Sequence, residues 1–130
     1  MRDARQRSDN YLALMPHRIV RILQANLRGG SETQLSLLND QSLRNFDLLL
    51  ISEPYGFTMK DHWKTHSHHH WRPVFPTKVA RTAAEHSRGS MLWINRKITP
   101  IRQLNINSNN ITAVIIPAER VFLAVSVYIP

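Results

Sequence analysis

The chain has 130 residues, 42% of them hydrophobic and 20% charged, which allows one compact domain and little more. Seventeen Lys and Arg against nine Asp and Glu leave a formal net charge of +8, a sign that favours polyanionic partners, nucleic acid before anionic membrane. Cysteine is absent, which excludes disulfides and thiolate metal sites, and no apolar run approaches the roughly 18 residues that a bilayer span needs.

Met1 to Asn10 is charged and polar, no apolar stretch long enough for a secretory signal follows it, and residues 1–17 read as a loose basic arm; the domain proper is expected over 18–130. Arg18 to Gln24 is β-branched and aliphatic and predicts a strand. Asn26 to Gly30 breaks it. Ser31 then reads as a helix N-cap with Gln34 at capping-box spacing, and Leu35, Leu37 and Leu38 as the buried face. Asn39-Asp40 ends or interrupts this helix, and Leu43 and Phe46 suit a second short turn. Asp47 to Glu53 is a continuous apolar run closing on a carboxylate, the pattern of a strand covered on both faces, so the chain opens in a βαβ-like way.

Pro54-Tyr55-Gly56 turns the chain into a long stretch, Thr58 to Pro76, expected to be irregular, and Thr77 to Gly89 reads as a polar, basic loop. Ser90 to Ile98 predicts another strand. Ile111 to Ile116 and Val121 to Ile129 are joined by Pro117-Ala118-Glu119-Arg120 and predict an antiparallel hairpin. In the last strand both alternating sets are apolar, which calls for cover on both faces. The chain stops at Tyr128-Ile129-Pro130, at the lip of its own last strand, which reads as a domain cut short.

Three polar residues fall at predicted strand ends, where α/β sheets gather functional groups: Asn26, Glu53 and Tyr128. A carboxylate beside Leu48 to Ile51 needs a partner, and a hard cation is one answer, a salt bridge or a solvated strand end the other. Asn26 has the ordinary alternative of a turn-forming Asn, and Tyr128 that of a strand aromatic. His62, His66, His68, His69 and His70 crowd together with Trp63 and Trp71; a solvated loop, a DNA-contacting loop and a structural metal site are the three readings. Arg28, Arg72, Lys78, Arg81 and Arg88 are candidate phosphate contacts, against the alternative of a solvated basic surface.

Gln24-Ala25-Asn26, Ile51-Ser52-Glu53-Pro54 and Ser126-Val127-Tyr128-Ile129-Pro130, in that order, resemble the first three signature blocks of the exonuclease/endonuclease/phosphatase superfamily. The sequence looks most like the endonuclease domains of non-LTR (LINE-like) retrotransposon reverse transcriptases of fungal type. The resemblance implies an α/β fold, half of a DNase I-like four-layer sandwich with two mostly antiparallel sheets and flanking helices. It implies Glu53 as a ligand of Mg²⁺ (or Mn²⁺), Asn26 beside the metal, and Tyr128 at the scissile phosphate, with DNA as partner and the nucleus as location. Ser52 stands where many relatives carry Gln. The family's later Asp/Asn and Asp/His blocks have no counterpart here, so the expectation is a fragment, inactive alone, whose missing C-terminal half is its natural partner and whose open apolar sheet face invites self-association. A non-catalytic basic DNA-binding module and a phosphatase of the same superfamily are the competing readings.

Overall fold

The computed structural model describes residues 20–60, 62–78, 89–117 and 120–130. Strand β1 (Ile22–Asn26) runs parallel to β2 (Leu48–Ser52), with helix α1 (Ser31–Leu38) and a 3-10 turn (Gln41–Leu43) between them. Two short strands, β3 (Phe57–Met59) and β4 (His62–Lys64), form a separate hairpin. Strand β5 (Trp71–Val74) pairs antiparallel with β6 (Ser90–Asn95), which also pairs antiparallel with β2, giving a four-stranded sheet in the order β1-β2-β6-β5. Strands β7 (Arg102–Gln103), β8 (Ile111–Ile116) and β9 (Phe122–Val127) make a three-stranded antiparallel sheet with β9 at its edge.

Alternation along β2 and β6 explains the layering. A strand points successive side chains to opposite faces. Leu48, Leu92 and Ile94 therefore face the second sheet and pack with Val114, Ile116 and Ala124. Leu49, Ile51, Met91 and Trp93 face the other way, against Leu38, Leu43 and Trp71. The apolar run of β2 is thus covered on both faces, as its composition requires. Ser126 Oγ donates to the carbonyl of Ile51 (3.4 Å), and Ser90 Oγ meets Thr112 Oγ1 (3.2 Å), so two polar stitches fix how the sheets are registered.

Several expectations need correction. The first strand lies further on, its last paired residue being Asn26, opposite Ser52. Ser31 is not the N-cap: Gly30 holds that place and no side chain caps the helix. A serine oxygen is free for other work there because His66 Nε2 stands 3.1 Å from Ser31 Oγ. Gln34 closes no capping box either. It is fully buried, with Leu38, whereas Leu35 is exposed. Its carboxamide grips the start of the hairpin: Oε1 accepts from Tyr55 N (3.1 Å), and Nε2 donates to Thr65 Oγ1 (2.7 Å) and to His66 Nδ1 (3.1 Å). The stretch Thr58 to Pro76 is not irregular, since it holds β3, β4 and β5; buried Trp71 and Val74 provide the apolar contacts that its polar composition concealed. The Thr77 to Gly89 loop lies largely in residues 79–88, outside the described residues.

The histidine cluster is a solvated loop only in part: His69, and His62 in β4, are exposed, whereas His66, His68 and His70 are hydrogen-bonded into the fold, and among the described residues no group of His, Cys, Asp and Glu is arranged to hold a metal. His68 is buried; its Nδ1 accepts from His70 N (3.0 Å), which leaves Nε2–H to donate to Asn39 Oδ1 (3.1 Å). His70 Nε2 lies 3.1 Å from the carbonyl of Arg44, and Arg96 Nε donates to the carbonyl of His68 (3.0 Å). These contacts latch the segment before β5 onto the end of α1 and the end of β6. His66 and Gln34 impose the same tautomer logic, because a carboxamide nitrogen can only donate, so His66 Nδ1 must be unprotonated.

Two outcomes follow. Gln34→Ala leaves the Tyr55 amide and its neighbours without partners and is expected to lower unfolding free energy by about 2–3 kcal/mol in urea titrations. His66 and His68 both have pKa values lowered from 6.5, in each case first by burial, with His69, Arg44, His70 and Arg96 adding charge repulsion at His68. The unfolded chain then binds more protons than the folded one just below that value, so stability is complete above about pH 6.5 and falls as the pH drops from there through the folded-state values. Urea unfolding on both sides of that window should show the loss, and His68→Gln should reduce its size.

Candidate functional site

The parallel pairing of β1 and β2 puts Asn26 and Ser52 side by side at the C-terminal end of the sheet, with Glu53 one residue beyond. Glu53 takes a left-handed backbone conformation (φ 49°), uncommon for a residue with a side chain. Three backbone hydrogen bonds hold this corner. Leu27 N donates to the Ser52 carbonyl (3.0 Å), Gly29 N to the Glu53 carbonyl (2.8 Å), and Glu53 N to the Gly89 carbonyl (2.9 Å). The carboxylate is thereby presented from a backbone clamped on both sides.

Tyr128 arrives from the other sheet. The Ser126–Ile51 stitch sets β9 against β2, and two residues further along each strand Tyr128 Oη donates to Glu53 Oε1 at 3.2 Å. Tyr128 N donates to the Asn110 carbonyl (2.8 Å), extending the β8–β9 ladder to the site. A phenol and a carboxylate distant in sequence thus meet at the mouth of the sheets. Asn26 lies on the same edge, exposed, but its Oδ1 accepts from Arg28 N (2.9 Å), the behaviour of a turn-forming Asn. That oxygen retains a second lone pair, so the turn and a role toward a ligand are compatible. No second carboxylate or histidine is hydrogen-bonded to Glu53 among the described residues.

The candidate cations divide. Arg28 is exposed on the turn next to Asn26, with φ 50°. Arg72 lines an open cleft of about 440 Å³ with His62, Trp63 and Phe75, whose last two rings stack at 5.7 Å. Lys78 is exposed, and its carbonyl accepts from Trp63 Nε1 (3.4 Å). Arg81 and Arg88 lie outside the described residues.

Two residues of this corner escaped sequence reasoning. Gly89 adopts φ +112°, and a Cβ there would stand 2.4 Å from the carbonyl oxygen of Asn109, so only glycine fits the turn that receives the Glu53 amide. Asn110 follows, its Oδ1 buried without a partner about where that turn closes. The Arg-Gly-Ser triplet before β6 carried the signal for Gly89; nothing in the polar run before β8 singled out Asn110.

With this geometry in hand, comparison with solved structures finds likeness to the endonuclease domain of TRAS1, described as a telomere-specific non-LTR retrotransposon: TM-score 0.64 and 22% identity, covering 86% of this chain and 45% of that one. The fold is accordingly the mixed α/β, DNase I-like arrangement, and the chain spans about half the length of that neighbour. No protein-family model matches the sequence, and no curated protein matches it.

Gly89→Ala is expected to lower stability by roughly 1–3 kcal/mol through forced strain at a positive φ. It should also displace the Glu53 amide resonance in a ¹⁵N–¹H spectrum more than it moves the amides of β7.

Proposed function

We propose that the chain is the N-terminal portion of a metal-dependent, DNA-cleaving domain of the LINE-like exonuclease/endonuclease/phosphatase class, of fungal type, acting in the nucleus of its host. The observation that carries this reading is the Tyr128–Glu53 contact at the sheet mouth, on a fold shared with a retrotransposon endonuclease domain. The donor chemistry suits Mg²⁺ or Mn²⁺: one carboxylate and one amide oxygen are hard ligands, and such ions are commonly held by one or two carboxylates with substrate phosphate completing the shell. Glu53 would be the ligand and Asn26 its neighbour. A bound ion would supply charge to polarise the phosphodiester and stabilise its leaving oxygen.

The chain's own residues have narrower tasks. Tyr128 Oη donates to Glu53 Oε1, which orients that carboxylate, and can turn its hydroxyl to a phosphate oxygen when the carboxylate is engaged elsewhere. Arg28, exposed on the turn beside Asn26, would meet the DNA backbone, and Arg72 and Lys78, beside the Trp63–Phe75 cleft, would offer further phosphate contacts. The further partner is the rest of such a domain. Leu123, Val125 and Val127 are exposed on the outer face of β9, with Val121 and Ile129 in line beyond its ends. The sequence called for cover on both faces of this strand; here one face is open, and it is the surface that further chain would bury. Left open, an apolar stripe on an edge strand favours association of the chain with itself.

Titration calorimetry with Mg²⁺ and Mn²⁺ tests the metal reading. Binding should be weak in the parent, absent in Glu53→Ala, and weakened by Tyr128→Phe, with duplex binding of the parent falling steeply as salt rises. Metal binding unchanged in Glu53→Ala, with duplex binding intact, would instead establish a basic DNA-binding module without chemistry.

A further inference from the structure

At the opposite end of the sheet from Glu53 lies a second pocket, of about 320 Å³, walled by Arg21, Arg44 and Lys97 around Asp47 and Asn95. Its walls are fixed by the fold. Arg21 and Asp47 are bound backbone to backbone and backbone to side chain, Arg21 N donating to Asp47 Oδ2 at 2.8 Å. The Arg21 guanidinium is held over the Phe46 ring, 4.6 Å from its centroid. Asn95 is buried and fully used: Nδ2 donates to the carbonyls of Arg44 (3.2 Å) and Phe46 (3.0 Å), and Oδ1 accepts from Lys97 N (3.0 Å). One side chain therefore sets the positions of the Arg44 and Lys97 backbones together.

Arg44 is the most buried of the three cations. Its Nε is buried with no hydrogen-bond partner among the described residues. The part-buried guanidinium carries its charge at the pocket wall, where an anion would lessen the cost of keeping it there. The charges point to what that is. Three cations against one carboxylate leave the pocket a formal +2. A phosphate monoester carries about −1.5 to −2 at neutral pH and offers three acceptor oxygens, whereas a carboxylate or phosphodiester brings one charge.

We propose that this pocket is a phosphate-binding site, taking a terminal phosphate monoester in the angle between Arg21, Arg44 and Lys97. It is distinct from the Glu53 corner, because β2 separates Asp47 from Glu53 by five residues, roughly 17 Å of strand. The same chemistry has two sources: a small phosphorylated molecule, or the 5′-phosphorylated end of a nucleic-acid strand. The site does not depend on the nuclease reading.

The experiment is a ¹⁵N–¹H titration of the full chain with inorganic phosphate, with a short 5′-phosphorylated single strand, and with the same strand ending in a 5′-hydroxyl. Phosphate is expected to move the amides of Asn45 and Lys97 and the Arg44 Nε resonance. Arg44→Gln and Lys97→Gln should each weaken that binding roughly tenfold, the scale of one charged hydrogen bond. Lys97 is exposed, so its substitution spares the fold if Arg44→Gln does not. Glu53→Gln should leave phosphate binding here unchanged, which separates this site from the metal reading. A response to the phosphorylated strand as well as to phosphate assigns the site to strand ends; a response to phosphate alone assigns it to a small ligand. No response to phosphate at Arg44 and Lys97, or a response to both strands that is the same with and without the 5′-phosphate, overturns the proposal.

Discussion

Glu53 stands where it does because β2 is buried on both faces. Leu48 on one side and Leu49 and Ile51 on the other lock the strand between two layers, so its register cannot slip by one residue without driving every apolar side chain into the wrong layer. The second sheet is then fixed against the first through the hydroxyls of Ser126, Ser90 and Thr112. Once Ser126 is set opposite Ile51, the meeting of Tyr128 with Glu53 follows from geometry, since both strands advance two residues toward the same edge. The candidate site is in this sense a by-product of how two sheets are stacked.

The framework was legible where periodicity was strong. The runs of β2, β6 and β8, and the hairpin ending in β9, show in the sequence as apolar strands with turn residues between them, and the structure returns each with shifts of a residue or a few at the ends. What could not be read depended on tertiary partners. Ser31 carries every local mark of an N-cap, yet a histidine 35 positions away engages its hydroxyl. Gln34 looked like the second half of a capping box and is instead a buried bridge between the helix and the β3–β4 hairpin. Strands β3 to β5 were hidden because histidine, lysine and proline dilute the apolar pattern, and among their described side chains only Trp71 and Val74 are buried.

The site was legible to a different depth. Asn26, Glu53 and Tyr128 were singled out by their places at predicted strand ends and then by the resemblance of short blocks, and the structure brings the last two into contact while Asn26, on the same edge, also serves its own turn. Gly89 showed in the sequence only as a turn residue and Asn110 not at all, because their meaning lies in backbone groups of Glu53 and Tyr128 that other segments supply. The histidines illustrate the same limit: crowding along the chain suggested a loop or a metal, whereas rings held neutral by carboxamides and backbone amides serve as latches.

The clamp on the Glu53 backbone has a consequence for how this corner can change. Its carbonyl is tied to the turn after β1 and its amide to the turn before β6, so three separate segments share one peptide's worth of hydrogen bonds. An insertion in either turn would tug directly on the carboxylate, whereas the β3–β4 hairpin, which shares no backbone bond with that peptide, could lengthen or vary in sequence without disturbing it. Diversity in such a chain should therefore accumulate in the hairpin and spare the two glycine turns, leaving a rigid acidic corner beside a surface free to acquire new contacts.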